Sequence, residues 1–325
     1  MLAIKEKPYV IISPCRDEEE YLENTLHSVI NQTVPPTLWL IVDDGSTDRT
    51  PEILERYREK YDFIRVLRRD NRGFRNVGPG VVDAFYAGLE EVQLDRFDFI
   101  CKLDLDVELP SRYFETLLQK MTADPRLGCA SGKPYNMRDG RLVSERRGDE
   151  MSVGMTKFYR TQCFREIGGI VREVMWDAID CHRARMLGWR ARSWDEPDLR
   201  FIHLRIMGSS QRGILTGKMR HGYGQYFMGT GFLYLAATAV FRIADYPFMV
   251  GSMAVLWGYL RSWLSRKPRF PDREFINYLR AFQLYSLVAG KRRAIEKYEA
   301  AGLERWKSAR RDNNVQVSGG APANA

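Results

Sequence analysis

Three absences narrow what this 325-residue chain can be. It has no apolar run of bilayer-spanning length. Its two long uncharged stretches, Tyr226 to Phe241 and Tyr246 to Leu260, both fall short of the roughly 20 apolar residues a membrane-crossing helix needs. It has no paired cysteines: Cys15, Cys101, Cys129, Cys163 and Cys181 are odd in number and include no Cys-x-x-Cys. That argues against a disulfide frame and for free thiols in a reducing compartment. It has no zinc-finger spacing and no aromatic RNA-binding signature, so its net charge of +8 does not point to nucleic acid. The excess charge suits phosphate ligands or lipid head groups. Lys5, Glu6 and Lys7 come before the first apolar run, so no secretory leader is expected and the expected location is cytoplasmic, peripheral on the inner face of the cell membrane.

What is present is an alternation of strand-like and helix-like segments. Strands are expected at Tyr9–Ser13, Thr37–Val42, Ile64–Leu67, Phe97–Leu103 and Leu127–Ser131. Helices are expected at Tyr21–Gln32, Thr50–Tyr61, Val81–Leu89 and Ser111–Met121, and a charged surface loop over Arg138–Glu150. Such alternation predicts an α/β fold with a mostly parallel sheet flanked by helices. Carboxylates stand where two of these strands end: Asp43-Asp44-Gly45-Ser46-Thr47-Asp48 after the second, and Asp104-Leu105-Asp106 after the fourth. Ligands of open α/β sheets bind outside the carboxyl ends of the strands. Oxygen ligands there suit Mg²⁺ or Mn²⁺ shared with substrate phosphates. Residues Ser46 to Asp48 also read as a cap for the following helix, with Pro51 in its first turn.

The ordered set Val10-Ile11-Ile12-Ser13-Pro14-Cys15-Arg16-Asp17-Glu18-Glu19, Ser28 to Thr33, Val42 to Thr50, Asp104-Leu105-Asp106, Gly168-Gly169-Ile170 and Trp176-Asp177-Ala178-Ile179-Asp180 resembles the family 2 glycosyltransferases. These are inverting enzymes with the GT-A nucleotide-sugar-binding fold, and the resemblance covers roughly residues 8 to 210. It implies nucleoside contacts from Pro14, from Asp17 or Glu18, and from Asp44. It places Asp104 near the ribose and Asp106 on the metal. His203 stands where many GT-A enzymes carry a further metal ligand, although a lone histidine is as often structural. Family members open a helix with Glu-Asp after the Gly-Gly segment. Here Trp176-Asp177 takes that place, making Asp177 the expected base, with Asp180 one turn on among the donor-binding residues. A helix N-cap is the other reading of Asp177. The run from Arg68 to Gly80 offers Arg72 and Arg75 to a diphosphate, or else is an ordinary basic loop. The family's usual Gly-x-x-x-Ala-Arg-Asn is replaced there by Val81-Val82-Asp83-Ala84-Phe85.

The implied reaction moves one sugar from a nucleotide-diphospho-sugar to a hydroxyl of a glycan or lipid-linked acceptor. The Gln-x-x-Arg-Trp motif of resembling processive synthases is absent, which favours a single addition. Residues 1–210 are expected to form the transferase domain, 211–310 a helical apolar and basic region, and 311–325 a disordered tail. Residues 226–260 suit helices lying in a membrane interface, a buried hairpin, or an oligomer contact. Two other functions stay open. One is a non-catalytic nucleotide-sugar-binding scaffold. The other is a sugar-1-phosphate nucleotidyltransferase, which would need a glycine-rich loop where Ser13 to Glu18 has none.

Overall fold

The computed structural model describes residues 7–71, 73, 78–138, 140–205, 213–244 and 247–318, with 312–318 described through their backbone alone. Arg72 and Arg75, the expected diphosphate contacts, lie outside the described residues.

The strands are β1 (Tyr9–Cys15), β2 (Leu38–Asp43), β3 (Ile64–Arg68), β4 (Phe99–Leu103), β5 (Val107–Glu108), β6 (Leu127–Ser131), β7 (Lys133–Arg138), β8 (Arg141–Ser144), β9 (Thr156–Arg160), β10 (Arg190–Ser193) and β11 (Arg200–His203). Seven of them form one sheet in the order β10-β6-β9-β4-β1-β2-β3, parallel except for β9. The other four form a second sheet, β5-β11-β7-β8. β8 lies within the stretch expected to be a loop. Its apolar residues, Leu142 and Val143, are too few and too exposed to have signalled a strand.

The central strands are apolar on both faces, as strands covered from both sides must be. Along β1, Tyr9 and Ile11 enter one core while Val10 and Ile12 enter the other, the period-2 alternation of a strand. Helices α1 (Leu22–Ile30) and α2 (Thr50–Lys60) close one face. Helix α3 (Pro79–Glu90) closes the opposite face, and α4 (Tyr113–Ala123) returns to the first. Then come α5 (Thr161–Glu166) and α6 (Trp176–Met186), on the same face as α3.

Five further helices follow: α7 (Ile214–Met228), α8 (Phe232–Phe241), α9 (Val250–Leu264), α10 (Arg273–Ala289) and α11 (Lys291–Ser318). Ile179 and Met186 of α6, Phe227 and Met228 of α7, and Phe275 and Leu279 of α10 share one apolar cluster. The tail expected to be disordered from 311 continues α11 to Ser318, and 319–325 lie outside the described residues. No helix among the described residues is long and apolar enough to cross a membrane.

Candidate active site

Strands β4, β1 and β2 are neighbours and parallel, so their carboxyl ends meet on one edge. Residues just beyond those ends include Glu18, Asp44 and Asp104. β9 runs the other way, pairing Leu103 with Thr156, so the segment 153–155 enters the same edge.

The Asp-Asp-Gly turn is built from within. Asp43 accepts the Ser46 N–H at 2.9 Å. Gly45 has φ +77°, and a side chain there would stand 2.8 Å from the Asn71 backbone nitrogen, so only glycine fits. Asp17, at φ +52°, ties the first loop to this turn. Its N–H donates to Ser46 Oγ at 2.9 Å, and its carboxylate accepts the Thr47 N–H at 2.8 Å. The helix cap is shared. Asp48 accepts the Thr50 N–H at 3.0 Å, and Glu19 accepts the Arg49 N–H at 2.9 Å. Burial pushes the Asp48 carboxyl up, but the Thr50 hydroxyl and the N–H groups of Thr50 and Glu19 leave it below its ordinary value.

Of the other expected nucleoside contacts, Asp44 is buried and its carboxylate accepts Arg69 Nη1 at 2.7 Å. Arg16 donates to the Asp44 carbonyl at 2.6 Å and to Asn71 Oδ1 at 2.7 Å, fixing the turn against the loop that carries Arg69. Pro14 sits within β1, opposite Val42 of β2. Glu18 is paired with Arg205, whose Nε also reaches Asp106 Oδ2 at 3.2 Å.

The pairing of β5 with β11 sets Val107 opposite His203, which brings His203 beside Asp106. Asp106 Oδ2 and His203 Nε2 are 3.8 Å apart, too far for a hydrogen bond and suited to two ligands facing one cation. The other ring nitrogen of His203, Nδ1, is 2.7 Å from Glu145 Oε1. A metal-binding imidazole is commonly held in this way by a carboxylate on its second nitrogen. Burial lowers the imidazole's pKa, but Asp106 and Glu145 outweigh it and raise it to about 9. Among the described residues, no three His, Cys, Asp or Glu side chains form a complete cation cage. The donor set fits Mg²⁺ or Mn²⁺, which take few protein ligands and fill the rest of the sphere with water and substrate phosphate.

Asp104 donates its N–H to the Met155 carbonyl at 2.7 Å. Lys102 pairs with its carboxylate and also donates to the Gly154 carbonyl at 3.2 Å. Gly154 lies flat on Trp176 and Asp177, where an added methyl would meet Asp177 Cβ at 3.2 Å. This segment thus touches both the Asp104 backbone and Asp177. The Trp176 ring lies under two ammonium groups, Lys102 at 5.3 Å and Lys157 at 5.5 Å from its centre. Met175, left-handed at φ +64°, turns the chain into α6.

Asp180, expected among the donor-binding residues, lies one turn further along α6. It is fully buried beneath α6, with its two oxygens on Lys157 and Tyr159. Lys157 and Tyr159 both belong to β9, so Asp180 faces the sheet from within α6, whereas Asp177 stands in the first turn of that helix. Lys157 is as deeply buried. Desolvation would lower its pKa, but Asp180 holds it well above the ordinary lysine value.

The site's carboxylates thus differ in one respect. Those of Asp17, Glu18, Asp44, Asp104, Asp106 and Asp180 each have a hydrogen-bond or ion-pair partner. Among the described residues the half-buried Asp177 carboxylate makes neither; only its backbone carbonyl is used, by Lys157. The sequence pattern does not single out Glu145, Lys102, Lys157 or Arg205. Glu145 lay in a charged run read as surface. Lys102 and Lys157 are cations inside apolar strands, a pattern that could have marked them as paired groups.

A nucleotide-sugar transferase fold with acidic strand ends is the class these features define. Residues 10–176 match the family model described as "Glycosyl transferase family 2", over half of the chain. The chain belongs to that family. The match stops at Trp176, one residue before Asp177.

The chain is 30% identical over 122 residues to poly-beta-1,6-N-acetyl-D-glucosamine synthase of Staphylococcus aureus, covering 37% of this chain and 27% of that protein. It is 28% identical over 120 residues to the same enzyme of Staphylococcus epidermidis. It thus spans about a quarter of the length of these curated relatives.

Solved structures share its fold. S. aureus TarS 1-349 aligns with TM-score 0.50 and 17% identity over 93% of this chain and 92% of that one. The mannosyltransferase PcManGT of Pyrobaculum calidifontis, in complex with GDP-Man and Mn2+, aligns with TM-score 0.50 and 17% identity over 93% and 88%. GalNAc-T7 with UDP, GalNAc and Mn2+ aligns with TM-score 0.54 and 14% identity over 86% and 57%.

Proposed function

We propose that the chain transfers one sugar, with inversion, from a nucleotide-diphospho-sugar to a hydroxyl of an envelope or exopolysaccharide glycan or its lipid-linked precursor, with Asp177 as the base. The observation that carries this reading is the contrast among carboxylates. A base must be free to accept a proton from the acceptor hydroxyl. Of the site carboxylates compared above, only that of Asp177 is not already held by a donor among the described residues.

The remaining residues divide the work. Asp44, held by Arg69, and the Asp17-tied turn shape a floor for the nucleoside. Asp104, fixed by Lys102, faces the sugar end. Asp106 and His203 would hold Mg²⁺ or Mn²⁺, with Glu145 fixing the imidazole's orientation. Bound there, the cation would supply Lewis-acid stabilisation of charge on the departing nucleoside diphosphate. Two fold neighbours hold Mn2+ with a nucleotide or nucleotide-sugar, which supports this donor class. The polysaccharide synthases among the relatives support an envelope acceptor.

The test is a donor screen. Purified protein with Mn²⁺ is given UDP-, GDP- and dTDP-sugars and a membrane lipid extract, and released nucleotide and glycosylated lipid are followed. Release with one donor, abolished in Asp106→Ala, is expected. Donor binding without turnover in any combination would favour the non-catalytic scaffold, and absence of donor binding would overturn the reading.

A further inference from the structure

Beyond the transfer site, the exposed apolar surface is concentrated on the α8–α9 hairpin. Phe241 and Phe248, near its tip, are 88% and 67% exposed. Along α9, Val250, Met253, Trp257 and Leu264 recur at helical spacing on one face, each about half exposed or more. Residues this apolar and this open mark a surface made to be covered.

Charge identifies the cover. Between Gly213 and Pro271 the sequence has seven basic residues (Lys218, Arg220, Arg242, Arg261, Arg266, Lys267, Arg269) and one acidic residue, Asp245. Arg242, Arg261, Arg266 and Lys267 are exposed beside the apolar face. A second copy packed on this surface would set cations against cations. Both helices are too short to span. Aromatic and aliphatic side chains backed by Lys and Arg suit the boundary between acyl chains and anionic head groups.

The hairpin is also coupled to the catalytic edge through α7. Gly222 of α7 and Gly258 of α9 let the two backbones touch: a side chain at Gly222 would stand 2.9 Å from the Tyr259 nitrogen, and one at Gly258 2.9 Å from Met219 Cα. Two residues along α7, Gly224 packs on Val174 and Met175, directly before Trp176-Asp177. His221, directly before Gly222, lies within electrostatic reach of Asp177 and of Arg147, Lys218 and Arg242.

From these juxtapositions we infer that the α8–α9 hairpin is a monotopic docking element that sinks into one leaflet of an anionic bilayer and holds the Asp177 edge at head-group level. The docking stands on its own observations. Only the corollary, that the acceptor hydroxyl belongs to a membrane-borne molecule, rests on the transfer reading.

The test is flotation of the full chain with vesicles of phosphatidylcholine, with and without phosphatidylglycerol, while Trp fluorescence is followed with brominated lipid. Anionic vesicles should bind the protein and quench its fluorescence, and Trp257→Phe should lose part of that quenching. Arg266→Glu and Lys267→Glu should each weaken binding by about fivefold or more on anionic vesicles, from the value of one surface cation. Phe241→Glu with Trp257→Glu should abolish it while circular dichroism stays unchanged. No binding to anionic vesicles, or binding indifferent to Phe241→Glu with Trp257→Glu, would overturn the inference. So would a concentration-dependent dimer dissolved by those changes, which would assign the face to a second copy. Nucleotide release from a soluble donor, measured separately on the same samples, shows whether the transfer reading fails independently.

Discussion

Removing the buried Asp180 carboxylate separates a structural role from a donor-binding one. Asp180 and Lys157 are almost completely buried, and Tyr159 donates its hydroxyl to the same carboxylate. In Asp180→Ala the Lys157 ammonium keeps as hydrogen-bond partners the Asp177 carbonyl and the Cys181 sulfur, at 3.2 Å, and no opposite charge bonded to it. Breaking a buried pair from one side costs about 3–5 kcal/mol, because the remaining charge is uncompensated. Against a typical total of about 5–15 kcal/mol, that is roughly a fifth of the stability or more. With a urea slope of about 2–3 kcal/mol/M, the unfolding midpoint should fall by about 1–2 M. Replacing the whole group, Lys157→Met with Asp180→Leu and Tyr159→Phe, should recover most of the loss, since a well-packed apolar substitute is often neutral. Urea unfolding followed by circular dichroism reads all three states. A single Asp180→Ala variant that stays within about 1 kcal/mol of the parent, a size ordinary for point changes, while its donor affinity collapses would refute the reasoning and return Asp180 to the donor site.

Other outcomes follow from the same geometry. Glu145→Ala should lower Mn²⁺ affinity by about 10–100-fold, the usual cost of losing a carboxylate behind a metal-binding histidine. Calorimetric Mn²⁺ titration checks this, and unchanged affinity would remove Glu145 and His203 from the metal site. Gly45→Ala should destabilise the protein by at least about 1–2 kcal/mol from its left-handed backbone alone, with the Asn71 collision added. An unchanged melting temperature would contradict that. Glu150 is buried beside Lys291. Burial pushes its carboxyl up, but the ammonium pulls it below the ordinary value. Its folded pKa is then below its unfolded one, so its stabilising contribution is full above the ordinary glutamate value and lost as pH falls through the folded one. Lys291→Met should therefore move the acid-unfolding midpoint to higher pH, and an unmoved midpoint would count against the pair.

The strands and helices of the first 131 residues were legible because their signals are local. Val10-Ile11-Ile12 and Ile41-Val42 are apolar in strands covered on both faces, and Leu22, Leu26 and Val29 repeat with helical spacing. Strand ends were read to within two residues, as at Leu127–Ser131 and Ile64–Arg68. The antiparallel β9 and the second sheet were not foreseen, because pairing direction is set by contacts distant in sequence. Thr156–Arg160 carries no mark of running against β4.

The site shows the same division. The Asp-Asp-Gly turn and the Asp-x-Asp pair announce themselves within a few residues. The partners that decide what each carboxylate is free to do come from far away. Arg205 reaches Glu18 across 187 positions, and Glu145 reaches His203 across 58. Asp177 and Asp180 look alike in sequence. Only the surroundings the fold gives each one separate a carboxylate with no partner among the described residues from a buried ion pair.

The central claim is that Asp177 takes the acceptor's proton. Asp177→Asn keeps the size and the helix start while removing the basic group. With the sugar donor found in the screen and Mn²⁺, the transfer rate of Asp177→Asn should fall by about 10²–10⁴-fold, the usual value of a general base. Donor affinity by calorimetry should stay within about twofold, because a proton acceptor used only in the transition state adds little to ground-state binding. Transfer within a few-fold of the parent, with donor binding intact, would contradict the account and move the base elsewhere on this edge.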